Sequence, residues 1–194
     1  MTRDRASRPE AKPLRLFVAL EIPERAKGVV ERAFRPWRER FPRARWVPAE
    51  DWHVTLKFMG ATSPRLVDRL HESITEVALQ TAAFDTRLAD VGAFPSLARA
   101  RVVWAGLEDQ AGRLASLADA LEECLAREFP AERRAFHPHV TVARSEPPLH
   151  LPDEFASVEL RSDRFPVDHM VLFRSHQRRP TPVYEPLVSF PFVR

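Results

Sequence analysis

One cysteine, Cys124, stands among 194 residues. A lone thiol makes no intrachain disulfide and no cysteine cluster for structural zinc, so a disulfide-stapled secreted scaffold is excluded and a reducing, cytoplasmic compartment is expected. Glycine is scarce, five residues against 18 prolines, and no G-x-x-x-x-G-K-[ST] loop occurs to cradle a nucleotide's phosphates. Only Lys12, Lys27 and Lys57 are lysines, and none stands in a Lys-x-Asp-Gly context; an ATP-dependent ligase built on a nucleotidyl-lysine is therefore disfavoured. No apolar run approaches the roughly 20 residues that cross a bilayer, and Met1 to Pro13 is polar and charged without the apolar stretch of an export signal.

What is present is a globular composition, 44% hydrophobic and 29% charged, enough for one domain or two small lobes with a packed core. The net charge of +3 is unevenly spread: residues 1–45 hold 13 basic and 6 acidic side chains. A basic excess at one end, densest over Arg32 to Arg45 (RAFRPWRERFPRAR), fits a polyanionic partner such as RNA; a solvated basic helix face accounts for the same charges equally well.

Periodicity gives the elements. Leu14 to Ile22 (LRLFVALEI) is an apolar run of strand length. Ala26, Val29, Val30, Ala33, Phe34, Trp37 and Phe41 then mark a helix stopped by Pro42. Arg45 to Phe58 reads as extended and leads through Gly60 to Ser63-Pro64, a helix cap with proline at the first helical position, after which Leu66, Val67, Leu70, Ile74, Val77 and Ala78 mark a second helix. In the second half, Arg87–Val91, Arg101–Leu107, His137–Arg144, Val158–Leu160, Val167–Phe173 and Tyr184–Phe192 read as strands, with a third helix through Leu114, Leu117, Ala118, Leu121 and Leu125.

Strand, helix, strand occurs twice, and the repetition has a register. RLFVALE begins at Arg15 and RVVWAGL at Arg101, while HVTL begins at His53 and HVTV at His139, each pair 86 residues apart. Two motifs with one offset argue for a duplicated unit. Alternation along a strand puts His53 and Thr55 on one face with Val54, Leu56 and Phe58 on the other, and likewise His139 and Thr141 against Val140 and Val142. Each strand so gains an apolar back and a front bearing one imidazole and one hydroxyl. If the units face each other, two imidazoles able to act as acid and base meet two neutral donors suited to anionic oxygens, a set fitted to phosphoryl chemistry.

HVTL at His53–Leu56 and PHVTVAR at Pro138–Arg144 resemble the paired His-x-Thr signatures of the 2H phosphoesterase superfamily. RLFVALEIP, WHVTLKFMG, AFPS followed by RVVWAG, AFHPHVTVAR and YEPLVSFPF resemble its RNA 2′,3′-cyclic phosphodiesterases, also called 2′-5′ RNA ligases, from about Arg15 to Phe192. Val142 stands where leucine is common, and His137 where arginine is often found. The resemblance implies an α+β fold of two pseudo-symmetric lobes, each an antiparallel sheet with outer helices, around a central cleft lined by the two His-x-Thr strands. Residues 1–13 are then a flexible leader, and 14–194 a single bilobal domain. It also implies metal-free and cofactor-free hydrolysis of an RNA terminal 2′,3′-cyclic phosphate, tRNA fragments included, to a 2′-phosphomonoester, with a slow reverse 2′-5′ ligation, in a monomer. By this resemblance His53 is the proton donor, His139 the acceptor, Thr55 and Thr141 hold nonbridging oxygens, and Arg144 supports the phosphate. A cyclic phosphodiesterase for a small nucleotide of the ADP-ribose cyclic phosphate type and a non-catalytic RNA-end binding module are the competing readings.

The His137-Pro138-His139 segment could supply half a metal site, but no third ligand has recognisable spacing. His71, His150, His169 and His176 read as surface or structural, and Cys124 as part of a helical core stripe. Phe94, Trp46 and Tyr184 are candidates for stacking on bases, with packing the more frequent fate of aromatics.

Overall fold

A computed structural model describes residues 12–132, 134–178 and 181–193. Of the expected leader, residues 1–11 lie outside the described residues, and Lys12 and Pro13 lead directly into the first strand.

Strand β1 (Leu14–Glu21) is buried from Leu16 to Leu20 because it lies inside a sheet, with an antiparallel neighbour on each side. Helix α1 (Glu24–Arg40) follows, burying Ala26, Val30, Phe34 and Trp37 along one stripe. Pro36 lies inside this helix at an exposed position, where the carbonyl it leaves without an N–H partner meets water. The chain continues through β2 (Arg45–Trp46), β3 (His53–Thr62), α2 (Val67–Gln80), β4 (Phe84–Thr86), β5 (Leu88–Phe94) and β6 (Ala100–Leu107). It ends with α3 (Arg113–Leu125), β7 (His139–Leu149), β8 (Phe165–Val167), β9 (His169–His176) and β10 (Val183–Pro191).

Among the described residues the main sheet has the order β10-β9-β1-β3-β7-β6-β5, with β2 also pairing β7, and its neighbours are antiparallel. This is the expected α+β architecture. Its halves join through the two His-x-Thr strands, β3 and β7, at a single registered pair, Val54 with Val140. The three helices share one core with the back of the sheet: Phe34, Leu70, Ile74, Leu114, Leu121 and Leu125 pack with Leu16, Val18, Val54, Leu56, Val140 and Val142. Helices on one face leave the other face open as a trough.

Four details depart from the sequence reading. The extended stretch does not end at Phe58; β3 runs on to Thr62, and the left-handed φ of +69° at Gly60 accommodates an irregularity in its pairing with β1. Val158–Leu160 is no strand: the segment leaves a short 3-10 turn at Asp153–Ser157, and Leu160 is buried from irregular backbone. The repeat offset also differs between strands. Thr55 pairs with Ala19 whereas Thr141 pairs with Trp104, so β1 and β6 correspond at a separation of 85, one less than the 86 between the His-x-Thr motifs. Finally, Phe58 does not lie on the apolar back; the cause is a bulge described next.

Candidate active site

The site begins with backbone geometry. On β3, Val18 pairs with Lys57 and Ala19 with Thr55, which leaves Leu56 as an extra, bulged residue. On β7, Val103 pairs with Ala143 and Trp104 with Thr141, leaving Val142 extra. A bulge shifts the alternation by one. The trough-facing series therefore becomes His53, Thr55, Phe58 on β3 and His139, Thr141, Arg144 on β7. Phe58 is 39% exposed in the trough, while Lys57, which strict alternation would place on the polar front, is buried at 1%. Its Nζ donates to both Glu122 carboxylate oxygens at 2.8 and 2.7 Å and to the Pro130 carbonyl at 3.0 Å. Glu122 also accepts from the Glu132 backbone N–H, so this pair ties β3 to α3 and to the chain that leads into β7.

Both histidines are mounted identically. His53 Nδ1 lies 2.7 Å from the Asp51 carbonyl and His139 Nδ1 lies 2.7 Å from the His137 carbonyl, each two residues upstream. A carbonyl only accepts, so Nδ1 carries the hydrogen in each ring and the lone pair of the neutral ring is on Nε2. Aromatic edges fix the ring planes. Tyr184 meets His53 edge-on at 5.1 Å and 88°, and Phe94 meets His139 at 5.1 Å and 84°. Phe17 lies 4.9 Å from His53 and stacks on Phe173, forming a small apolar cluster on the trough side.

Burial holds the His53 imidazole far below its ordinary value, at about 4; the hydrogen bond to Asp51 opposes this, and the charges of Arg144 and His139 add to it. His139 is lowered for the same leading reason, with the His137 carbonyl opposing and His137 and Arg144 contributing. Both rings are therefore mainly neutral at pH 7. An anion between them reverses the electrostatic part of that depression.

A cavity of about 460 Å³ is lined by His53, Thr55, Phe58, Tyr184, Arg45 and Arg144 among others. A second, of about 390 Å³, is lined by Thr55, Phe58, Phe94, His137 and His139 together with Glu122, Glu132 and Arg134. Thr55 and Phe58 belong to both, so the two open onto one trough. Thr141 sits half-buried on β7 opposite Trp104 and lines neither. Among the described residues neither threonine side chain has a hydrogen bond to protein; each hydroxyl is free to donate.

Two of the three aromatic stacking candidates, Phe94 and Tyr184, reach the trough. Trp46 does not: it packs behind the sheet, edge-on to Phe34, with its indole N–H on the Phe41 carbonyl. The His137 ring rests 4.5 Å from Trp104, and among the described residues no group of three or more His, Cys, Asp or Glu side chains is placed to hold a metal ion. Gly92, across from Trp104, is required by close approach: a Cβ there would fall 2.2 Å from the indole. His71 and His150 are exposed, and His169 and His176 engage carboxylates of Asp168, Glu21 and Glu185. Sequence reasoning missed Phe17, Phe58, Arg45 and Trp104. Alternation singles out Phe17 once β1 is known to neighbour β3, and Trp104 once β6 is known to neighbour β7; Phe58 depends on the bulge and Arg45 on β2.

Two imidazoles, two threonines and an arginine thus stand on paired strands of one antiparallel sheet. The chain belongs to the 2′-5′ RNA ligase superfamily, which it matches over residues 26–179. It is 33% identical over 180 residues to an RNA 2′,3′-cyclic phosphodiesterase of Geobacillus stearothermophilus, covering 91% of this chain and 57% of that protein's length. A Bacillus subtilis protein of the same name is 27% identical over 191 residues, covering 94% and 98%. The crystal structure of E. coli LigT complexed with 3′-AMP superposes with a TM-score of 0.77 at 26% identity, covering 94% and 99%.

Proposed function

We propose that this chain hydrolyses RNA terminal 2′,3′-cyclic phosphates to 2′-phosphomonoesters by paired-histidine acid-base catalysis. Its residues 14–194 act as one bilobal, monomeric, cytoplasmic domain without a metal ion or cofactor. The observation that carries the reading is the matched mounting of His53 and His139, beside two threonine hydroxyls that are unpartnered among the described residues.

In the reaction, His139 Nε2 takes a proton from water as the water oxygen bonds to phosphorus. The P–O3′ bond breaks, and His53 Nε2 gives its proton to the departing 3′-oxygen. The product carries a 2′-phosphate and a free 3′-hydroxyl. Thr55 and Thr141 donate to the nonbridging oxygens, and Arg144 stabilises the charge that builds on them. The bound phosphodiester anion raises the depressed pKa of the acid histidine, so that it holds its proton when needed. The same sequence with an RNA 5′-hydroxyl in place of water, its oxygen bonding to phosphorus as the P–O3′ bond breaks, joins two ends through a 2′-5′ bond.

The test is product identification. The protein is incubated with an oligoribonucleotide ending in a 2′,3′-cyclic phosphate and, separately, with a cyclic mononucleotide and ADP-ribose cyclic phosphate. A 2′-phosphate on the oligonucleotide supports the reading. Turnover of the small nucleotides alone moves the assignment to them, and binding without turnover leaves an RNA-end binding module.

A further inference from the structure

The arginines of the catalytic trough continue outside it. A groove of about 530 Å³ opens beside the site, lined by Arg43, Arg45, Arg101, Val102, Arg144, Ser145 and Glu146. Arg45 and Arg144 line both this groove and the His53 cavity, so the two are continuous, and Arg15 joins them on the cavity side.

The sheet builds this arginine row directly. Arg144 on β7 pairs with Arg45 on β2 to one side and with Val102, next to Arg101, on β6 to the other. Neighbouring strands lie about 4.8 Å apart, so like charges sit on adjacent rungs, an arrangement that is unfavourable unless an anion comes between them. Among the described residues, Arg43, Arg45 and Arg144 make no salt bridge, while Arg101 pairs with Glu146. Arg38 and Arg40 of α1 are engaged on the other side of the sheet: Arg40 with Glu154 at 2.7 Å, Arg38 with Glu31 and over the Trp46 ring. The basic segment Arg32–Arg45 thus divides, and only its last two arginines line the groove.

We propose that this groove is a phosphate track for the RNA strand leading into the site, with Arg43, Arg45 and Arg101 contacting backbone phosphates upstream of the reacting end. The proposal rests on the reading above that the trough holds a terminal cyclic phosphate. Such a phosphate ends the strand on its 3′ side, so every further phosphate lies in the 5′ direction. Polyanion binding is the arrangement that relieves the unpaired, crowded guanidinium groups, and arginine forks suit phosphate oxygens.

The test uses RNAs ending in a 3′-phosphate, which the proposed chemistry leaves intact, of two and ten nucleotides. Affinity is measured by fluorescence anisotropy between 50 and 200 mM salt. Exposed ion pairs contribute roughly two- to fivefold each, so two or three contacts predict an advantage of the ten-nucleotide RNA of about 4- to 125-fold at low salt. The advantage shrinks with salt at a log-log slope of about 0.7 per phosphate neutralised. Arg43→Glu alone, and Arg43→Ala with Arg101→Ala, should each cut the advantage at least threefold. Equal affinity for the two lengths, full retention of the advantage by both variants, or equal competition by an acidic peptide of the same charge would overturn the track. Hydrolysis of a cyclic-phosphate dinucleotide, measured alongside, reports on the active-site reading separately: its absence with the length advantage intact condemns that reading, not the groove.

Discussion

Leu56 and Val142 are the unpaired residues of two β-bulges, each placed one residue beyond the threonine of a His-x-Thr motif. The consequence falls two residues further on: Phe58 and Arg144, at equivalent places on β3 and β7, both turn into the trough. One half of the site so receives an aromatic floor and the other a cation.

Arg144 and the threonines should separate by magnitude. A hydrogen bond from a charged donor contributes about 1.5–3 kcal/mol and a neutral one about 1 kcal/mol. Arg144→Met is therefore expected to lower kcat/KM on a cyclic-phosphate dinucleotide by roughly 10- to 150-fold. Thr55→Ala and Thr141→Ala should cost about fivefold each. A threonine variant more damaging than Arg144→Met would contradict the assigned roles.

The pH dependence follows from the depressed histidines. In the free protein the base ring is blocked below its pKa and the acid ring is empty above its own, and burial lowers both. The bell for kcat/KM should accordingly centre below the ordinary histidine value of about 6.5, and its limbs belong to the coupled pair. The profile of kcat, measured with the anion bound, should lie at higher pH. A kcat/KM optimum above pH 7.5, or a flat profile from pH 5 to 9, would contradict the account. Since the His53 pKa is lowered to about 4 in the folded chain, its contribution to stability is present above about 6.5 and is lost as pH falls towards 4.

Lys57 gives a prediction about stability. Breaking a buried ion pair by removing one partner costs about 3–5 kcal/mol, and Lys57 is 1% exposed while Glu122 retains 22%. Lys57→Met is expected near the lower figure, a fall in Tm of roughly 6–12 °C for a chain of this size. Glu122→Gln, which leaves the ammonium buried without a counter-charge, should be comparably harmful. Differential scanning calorimetry reads both, and a Tm within 2 °C of wild type for each would show that the pair does not hold β3 to α3.

Turnover should survive exhaustive chelation. Loss of activity in EDTA with recovery on adding one divalent ion would make His137 and His139 ligand candidates again.

Much of this was legible in the sequence because duplication repeats a pattern: His-Val-Thr occurs twice at one spacing, and apolar stripes mark the three helices. The limit came from assuming unbroken alternation. A bulge is a backbone event with no residue signature here, so Phe58 was assigned to the wrong face and Lys57 carried no structural expectation. Arg45 was hidden for a different reason: the two-residue strand β2 is too short for periodicity to reveal, yet it sets that side chain beside Arg144.

The most direct test of the central claim is single-turnover hydrolysis of a dinucleotide 2′,3′-cyclic phosphate by wild type, His53→Ala and His139→Ala, with folding checked by circular dichroism. General acid and general base groups each contribute about 10²- to 10⁴-fold. The account predicts a loss of that size in each folded variant, with a 2′-phosphate as the product in wild type. A folded His139→Ala protein that turns over at near wild-type rate, or a 3′-phosphate product, would contradict it.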